Sequence, residues 1–351
     1  MKKFISLLLF ILLVFVSVAC GGANEEGEAS TSDSGENSEN AAEGYPDGPI
    51  EIIVGFGEGG GTDTMARMLQ PIFQEELGVN VAVRNMPGAS SALALEHVAE
   101  QPADGQTILF QTDLLRVFPT MGMTDLTYKD FEQVGVGTMG IANFVVSPDS
   151  ELETFDDIVS LLQEGDATIG VAGVGDPWHL TAEIVNSVVE GESEIITYES
   201  GSNAAMATLR GEVDFSISGV NEVVDLLQSG EAESLAVMDK EGFEVPDYGT
   251  IPPVTDFVEE LEAYAPEGTW WGPAVKAGTP EPIVEKLREV YNKALQSEEF
   301  KKFAEEGAIV MIDVDDPQEY TKETTEITSW LLWDIGTGKR SPEEVGIQRP
   351  E

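Results

Sequence analysis

From residue 49 onward, short apolar runs alternate with longer stretches whose apolar residues recur every three or four positions. The short runs predict strands over 50–54, 80–84, 107–111, 131–136, 142–146, 167–171, 194–197, 213–218 and 234–237. The periodic stretches predict helices over 64–77, 90–100, 155–163 (opened by Thr154), 179–189, 203–210, 223–228 and 280–297. In the last of these, Ile283, Val284, Leu287, Val290, Tyr291 and Leu295 keep the helical period. Pro282 falls in its first turn, where proline is tolerated. Pro71 inside the first helix predicts a kink or a break. Strand and helix in alternation is the βαβ rhythm of a parallel sheet covered by helices. No repeat with a period of 20–50 residues is visible.

The first residues break this rhythm. Lys2 and Lys3 precede an apolar run over 4–16, interrupted only by Ser6, and Ser17, Val18, Ala19 and Cys20 follow. A basic start, an apolar centre of roughly 15 residues and a small-residue exit read as a secretory signal. The run is too short for a membrane span, which needs about 20 residues. Cys20 is the only cysteine, so no intramolecular disulfide is possible. With Ala19 before it and Gly21-Gly22 after it, Cys20 resembles the lipidated cysteine of a bacterial lipobox, although Ser17 stands where leucine is usual. Residues 1–20 are therefore expected to be a lipoprotein signal peptide, with simple secretion as the alternative. Residues 21–44 are small, polar or acidic, and form an expected disordered acidic tether. The protein would then sit outside the cytoplasm, anchored to the outer face of the cell membrane, its lipid in the bilayer. About 300 residues remain, enough for two domains of ordinary size.

Charge narrows the partners. The chain carries 65 Asp+Glu against 18 Lys+Arg, a formal charge of −47. Such a balance argues against nucleic acid or an anionic membrane surface as a partner. The acidic runs, among them 190–194 and 313–316, read as solvated surface suited to high salt, where self-repulsion is screened. No D-x-[DN]-x-[DN]-G calcium loop is present.

Candidate chemistry begins at Gly55-Phe56-Gly57-Glu58-Gly59-Gly60-Gly61-Thr62-Asp63, between a predicted strand and a predicted helix. A strand that turns through glycines into a helix presents backbone N–H groups at the positive end of a helix dipole. It binds anions without a basic side chain. Gly55, Gly57 and Gly60 also satisfy the dinucleotide fingerprint. Against that reading, the second strand ends Val83-Arg84-Asn85 without the acidic residue that holds an NAD ribose, although Arg84 would suit NADP. Glu58 would face a pyrophosphate, and an exported protein meets no cofactor pool. His97 and His179 are the only histidines, which leaves no zinc spacing, and there is no G-x-S-x-G elbow. No catalytic residue, cofactor or metal is expected, and the chain is not read as an enzyme.

The order of motifs adds a family. Tyr45-Pro46-Asp47-Gly48-Pro49-Ile50, the stretch 54–63 with Ala66-Arg67, Arg84-Asn85-Met86-Pro87-Gly88-Ala89 and Pro102-Ala103-Asp104-Gly105-Gln106-Thr107 come first. The segment 170–180, Tyr198-Glu199-Ser200-Gly201, Leu209-Arg210-Gly211-Glu212-Val213-Asp214, Trp271-Gly272 and Ala277-Gly278-Thr279-Pro280 follow. In this order they resemble the solute-binding proteins of tripartite tricarboxylate transporters, the TctC or Bug family. The resemblance implies a two-lobed, periplasmic-binding-protein-like (type II) α/β fold, with two parallel-rich sheets flanked by helices and a ligand cleft between them. It places lobe 1 at 45–145 and 240–351 and lobe 2 at 146–239, with crossovers near 142–146 and 234–239. It also implies a small organic acid as ligand (a mono-, di- or tricarboxylate, aromatic acids included), captured by lobe closure around helix N-termini and passed to membrane permease subunits. A ligand sensor feeding a membrane signalling receptor would look the same.

Loops at strand C-termini supply the candidate ligand-binding residues. Gly57, Gly59, Gly60, Gly61, Thr62 and Asp63 come from the first turn, although Asp63 also suits a helix cap paired with Arg67. Thr112 and Asp113 follow the third strand. Gly173, Gly175, Asp176, Trp178 and His179 open a second helix, and Ser218 and Asn221 follow another strand. Where the family carries small hydroxyl residues, this chain has Val171, Ala172, Asp176 and Trp178. Asp176 is awkward for a dianion, and caps its helix or receives an amine or hydroxyl. Trp178 and Trp270-Trp271 either flank a cyclic ligand or pack in the core.

Overall fold

The computed structural model describes residues 44–350. The leader, Cys20 and nearly all of the expected tether lie outside the described residues. In chain order the elements run β1 (Ile50–Val54), α1 (Gly61–Leu77), β2 (Val81–Asn85), α2 (Ala92–Glu100), β3 (Thr107–Thr112), α3 (Phe118–Met121), β4 (Phe131–Gln133) and β5 (Thr138–Val146). They continue with α4 (Phe155–Glu164), β6 (Ala167–Ala172), α5 (Pro177–Val188), β7 (Ser193–Tyr198), α6 (Gly201–Leu209), β8 (Phe215–Gly219), α7 (Val220–Ser229) and β9 (Glu233–Val237). A hairpin of β10 (Phe243–Val245) and β11 (Gly249–Ile251) precedes β12 (Gly268–Lys276), α8 (Glu281–Gln296), α9 (Glu298–Glu306), β13 (Val310–Met311) and α10 (Pro317–Asp334).

The strands form a mixed sheet in the order β2-β1-β3-β12-β5-β8-β6-β7, flanked by helices. The two ends are parallel: β1 pairs with β2 and β3, and β6 with β7 and β8. The middle is antiparallel, because β12 runs against β3 and β5, and β5 runs against β8. One strand serves both halves. Residues 138–141 of β5 pair with β12, and residues 142–146 pair with β8 and β9. All nine residues of β5 are buried, as a strand covered on both faces requires.

Local sequence explains most boundaries. Thr154 and Asp157 close a capping box at the start of α4, which ends on left-handed Gly165. In contrast to the expected break, α1 is one helix through Pro71. Met65, Leu69, Phe73 and Leu77 are buried on both sides of the proline, and that anchoring outweighs the one backbone bond it forfeits. The strand expected over 131–136 stops at Gln133, because the N–H groups of Val134 and Gly135 both turn to the Pro273 carbonyl.

Candidate functional site

A cleft of about 590 Å³ opens at the C-terminal ends of β1, β3, β6 and β8, with β12 across its floor. Residues from both halves of the sheet line it. One wall is the turn 56–61 with Thr62, Thr64 and Met65, joined by Thr112, Thr269 and Trp271. Facing it are Ala172, Asp176, Trp178, Glu199, Ser200, Ser202, Asn203, Asn221 and Glu222, and Phe303, Gly307 and Ile309 complete the rim.

The first wall is an open helix N-terminus. Gly59 sits at φ +80°, a left-handed conformation that glycine adopts without penalty. Gly60 is the N-cap of α1 and offers no side chain to close it. Among the described residues no partner takes the N–H groups of Gly61, Thr62 or Asp63. Trp271 donates its indole N–H to Thr62 Oγ1 at 3.1 Å, which leaves the threonine hydroxyl hydrogen for a ligand. The register of β12 against β3 sets Thr112 beside Trp271, and Thr112 Oγ1 is buried without a partner. Beneath the turn, Asp63 accepts from Gly59 N at 2.8 Å, Arg67 Nε at 2.9 Å and Asn85 Nδ2 at 2.8 Å. Burial works to raise its carboxyl, but these donors together hold it below the usual carboxylate range.

The second wall has closed helix N-termini. Asp176 caps α5 by accepting from Trp178 N at 2.9 Å. Ser200 caps α6, accepting from Asn203 N at 3.1 Å. Glu222 spans two helix starts, accepting from Gly201 N at 3.2 Å and Gly219 N at 3.0 Å. Burial pushes the Glu222 carboxyl up, opposed by those N–H groups and by the Trp178 side chain. Burial pushes Asp176 up further; its bond from Trp178 N opposes the shift, and the charges of Glu222 and Asp113 add to it.

The structure brings Gly57, Gly59, Gly60, Gly61, Thr62, Thr112, Asp176, Trp178 and Asn221 onto the cleft wall. It places the other expected contacts behind it. Asp63 is spent on the turn, and the Gly59 N–H is committed to Asp63. Asp113 is buried 2.6 Å from Arg116 Nε and accepts from Thr269 Oγ1 at 3.0 Å. Its carboxyl is raised to about 6, because burial outweighs the nearby guanidinium. Gly173 N donates to the Tyr198 carbonyl at 3.2 Å, so it is not free for an anion. Gly175 packs towards Met123 and Phe118. His179 is buried, its Nδ1 3.5 Å from Gly175 N, and burial lowers its pKa. Ser218 is fully buried under Asn143, which donates to its carbonyl at 2.9 Å. Successive residues of a strand face opposite ways, so Trp271 lines the cleft while Trp270 packs on the far side with Tyr320.

Sequence reasoning missed Glu222, Glu199, Ser200, Phe303 and Ile309. Glu222 stands at the third position of α7 and accepts from the N-cap Gly219 N–H, but with glycine at the N-cap the spacing carries no capping-box signal that would have found it. Nothing local to Phe303 or Ile309 points to the cleft. A shallower recess of about 560 Å³ beside Tyr198, Met206 and Arg210 is bordered by none of the expected site residues.

An α/β sheet in two parallel halves, joined through shared strands and holding a cleft with an open helix N-terminus, defines a solute-binding protein. Residues 65–329 match the Tripartite tricarboxylate transporter family receptor family, TctC, and the chain belongs to that family. Protein BugT of Bordetella pertussis is 29% identical over 286 residues, covering 79% of this chain and 85% of BugT. MatC from Rhodopseudomonas palustris, solved with bound malate, superposes with a TM-score of 0.71 at 21% identity, covering 83% of this chain and 99% of MatC. A second R. palustris protein, solved with adipate, gives 0.72 at 22% identity over 87% of this chain and 100% of its own. The chain is thus a solute-binding receptor of the extracytoplasmic class and not an enzyme.

Proposed function

We propose that the cleft captures a small organic acid, one carboxylate resting on the first turn of α1, and hands it to a tripartite tricarboxylate-type permease. The observation that carries this is the uncapped N-terminus of α1 at the cleft wall, with the Thr62 hydroxyl beside it. Unpaired N–H groups and the helix dipole together favour a carboxylate there. MatC with malate and the adipate-bound protein share the fold, which supports the same ligand chemistry. The site comprises the turn 57–62, Thr112, Trp178, Asn221 and Trp271, and the two halves close over the ligand as lobes 45–145 with 240–351 and 146–239. Cys20 supplies the anchor in the outer face of the membrane.

A thermal-shift screen of mono-, di- and tricarboxylates, amino acids and aromatic acids tests the reading, since a ligand selective for the folded state raises Tm. The expected result is a saturable rise with at least one carboxylate, together with altered tryptophan emission, because Trp178 and Trp271 line the cleft. Thr62→Val should weaken that ligand about tenfold, the loss of one hydrogen bond to a charged group. Binding that ignores Thr62→Val, or that requires no carboxylate, would overturn the assignment.

A further inference from the structure

Resting on that carboxylate-binding reading, we infer that the ligand carries a single carboxylate and a cationic nitrogen, as an amino-acid zwitterion does, and is not a di- or tricarboxylate. The helix N-termini around the cleft divide unequally. That of α1 is open, whereas Asp176 occupies that of α5 and Glu222 takes the Gly201 and Gly219 N–H groups at α6 and α7. A helix start already holding a protein carboxylate has no site for a second one and repels it. The wall opposite the open turn is therefore built from the protein's own carboxyl groups.

The charge count agrees. Glu58, Asp176, Glu199 and Glu222 line the cleft, and among its lining residues there is no lysine, arginine or histidine. A ligand with two carboxylates would bury its second charge beside these groups with nothing to neutralise it, which is the repulsive element that specificity needs. A ligand ammonium instead supplies the missing counter-charge to Asp176 and Glu222, both of which burial pushes up. Two further polar groups are unpaired. Thr112, 5% exposed, and Asn221 line the cleft, and Thr112 Oγ1 and Asn221 Oδ1 are buried without a partner. The Asn221 carbonyl oxygen takes only a donor, which an ammonium supplies and a second carboxylate does not, whereas the Thr112 hydroxyl serves either.

The test uses the mature protein and matched sets: alanine with propionate and ethylamine, β-alanine with succinate, and 4-aminobutyrate with glutarate. Calorimetric Kd values should favour the amino acids over the acids paired with them at least tenfold. Asp176→Asn keeps an oxygen to cap α5, and Tm without ligand verifies that it folds; it should shrink the preference about tenfold. Tighter binding of succinate or glutarate than of the amino acids paired with them would overturn the zwitterion and leave the carboxylate reading standing. Amines binding as tightly as amino acids would overturn the carboxylate reading itself. Binding by none of the three classes would end both.

Discussion

Gly140 offers the sharpest perturbation of the cleft that touches no ligand atom. It lies on β5 under two lining residues. A Cβ placed there would come 2.6 Å from Asn221 Oδ1 and 2.8 Å from Trp271 Cη2, well inside ordinary contact. Asn221 Oδ1 has no partner and can turn away. The indole cannot, because it is buried and its N–H is held by Thr62. Gly140→Ala therefore pushes Trp271, and through it Thr62, away from the position that serves the α1 turn. Overpacking of this kind costs about 1–3 kcal/mol of stability. At about 2–4 °C per kcal/mol for a chain of this size, Tm should fall by roughly 2–12 °C. Ligand affinity should fall about tenfold or more, since the carboxylate loses an aligned hydroxyl. Differential scanning calorimetry reads the first quantity and titration calorimetry the second. A variant with wild-type Tm and wild-type Kd would show that the close approach is not why glycine stands there, and the coupling through Trp271 would be wrong.

Three other outcomes are expected. Arg116→Met strands Asp113 and Glu267, which Arg116 holds at 2.6 Å each, so chemical denaturation should show a loss of about 3–5 kcal/mol; a loss below about 1 kcal/mol would refute the buried network as a support. Asp63→Asn should cost on the order of 1–3 kcal/mol at neutral pH. Because the folded Asp63 carboxyl is held below its unfolded value, this contribution is present above about pH 4 and vanishes as pH falls through the folded value. The gap between variant and wild type should therefore narrow in acid, and a gap that widens there contradicts the sign. Finally, the charge of −47 repels a net anion, so its stopped-flow association rate should rise as the screening length shrinks from about 10 Å to about 3 Å between 0.1 and 1 M NaCl. A falling rate would refute the repulsion.

Most of the first two thirds of the fold was legible because each element carries its own period and its own stop. The third strand, for example, needs only the apolar run at 107–111 bounded by Gly105 and the acid after Thr112. Beyond the strand at 234–237 and the helix over 280–297, found as β9 and α8, the C-terminal third was not legible. The strand β12 contains Gly268, Gly272 and Pro273, and proline reads against a central strand; it is tolerated because its carbonyl, not an N–H, meets Val134 and Gly135. In α10, threonines occupy buried positions and blur the apolar stripe. For the cleft, the glycine turn announces itself locally. Which of its N–H groups stay open depends on where Asp63 turns, and sequence shows that only as a pairing with Arg67. Glu222 is the clearest case of what spacing hides: besides Gly219 N its carboxylate accepts from Gly201 N, 21 residues back in the chain, a meeting made by the sheet and not by local spacing.

The strand β5 has a consequence for engineering. Its nine residues are at once the inner edge of one half of the sheet and of the other. No cut through this region yields two fragments with intact borders, because one of them must lose its neighbour strand and expose a row of bare amides. Chimaeras that exchange whole halves between relatives would inherit that wound. Retargeting such a receptor is better done by editing the tips of its strands, where the cleft residues stand, and leaving the shared backbone alone.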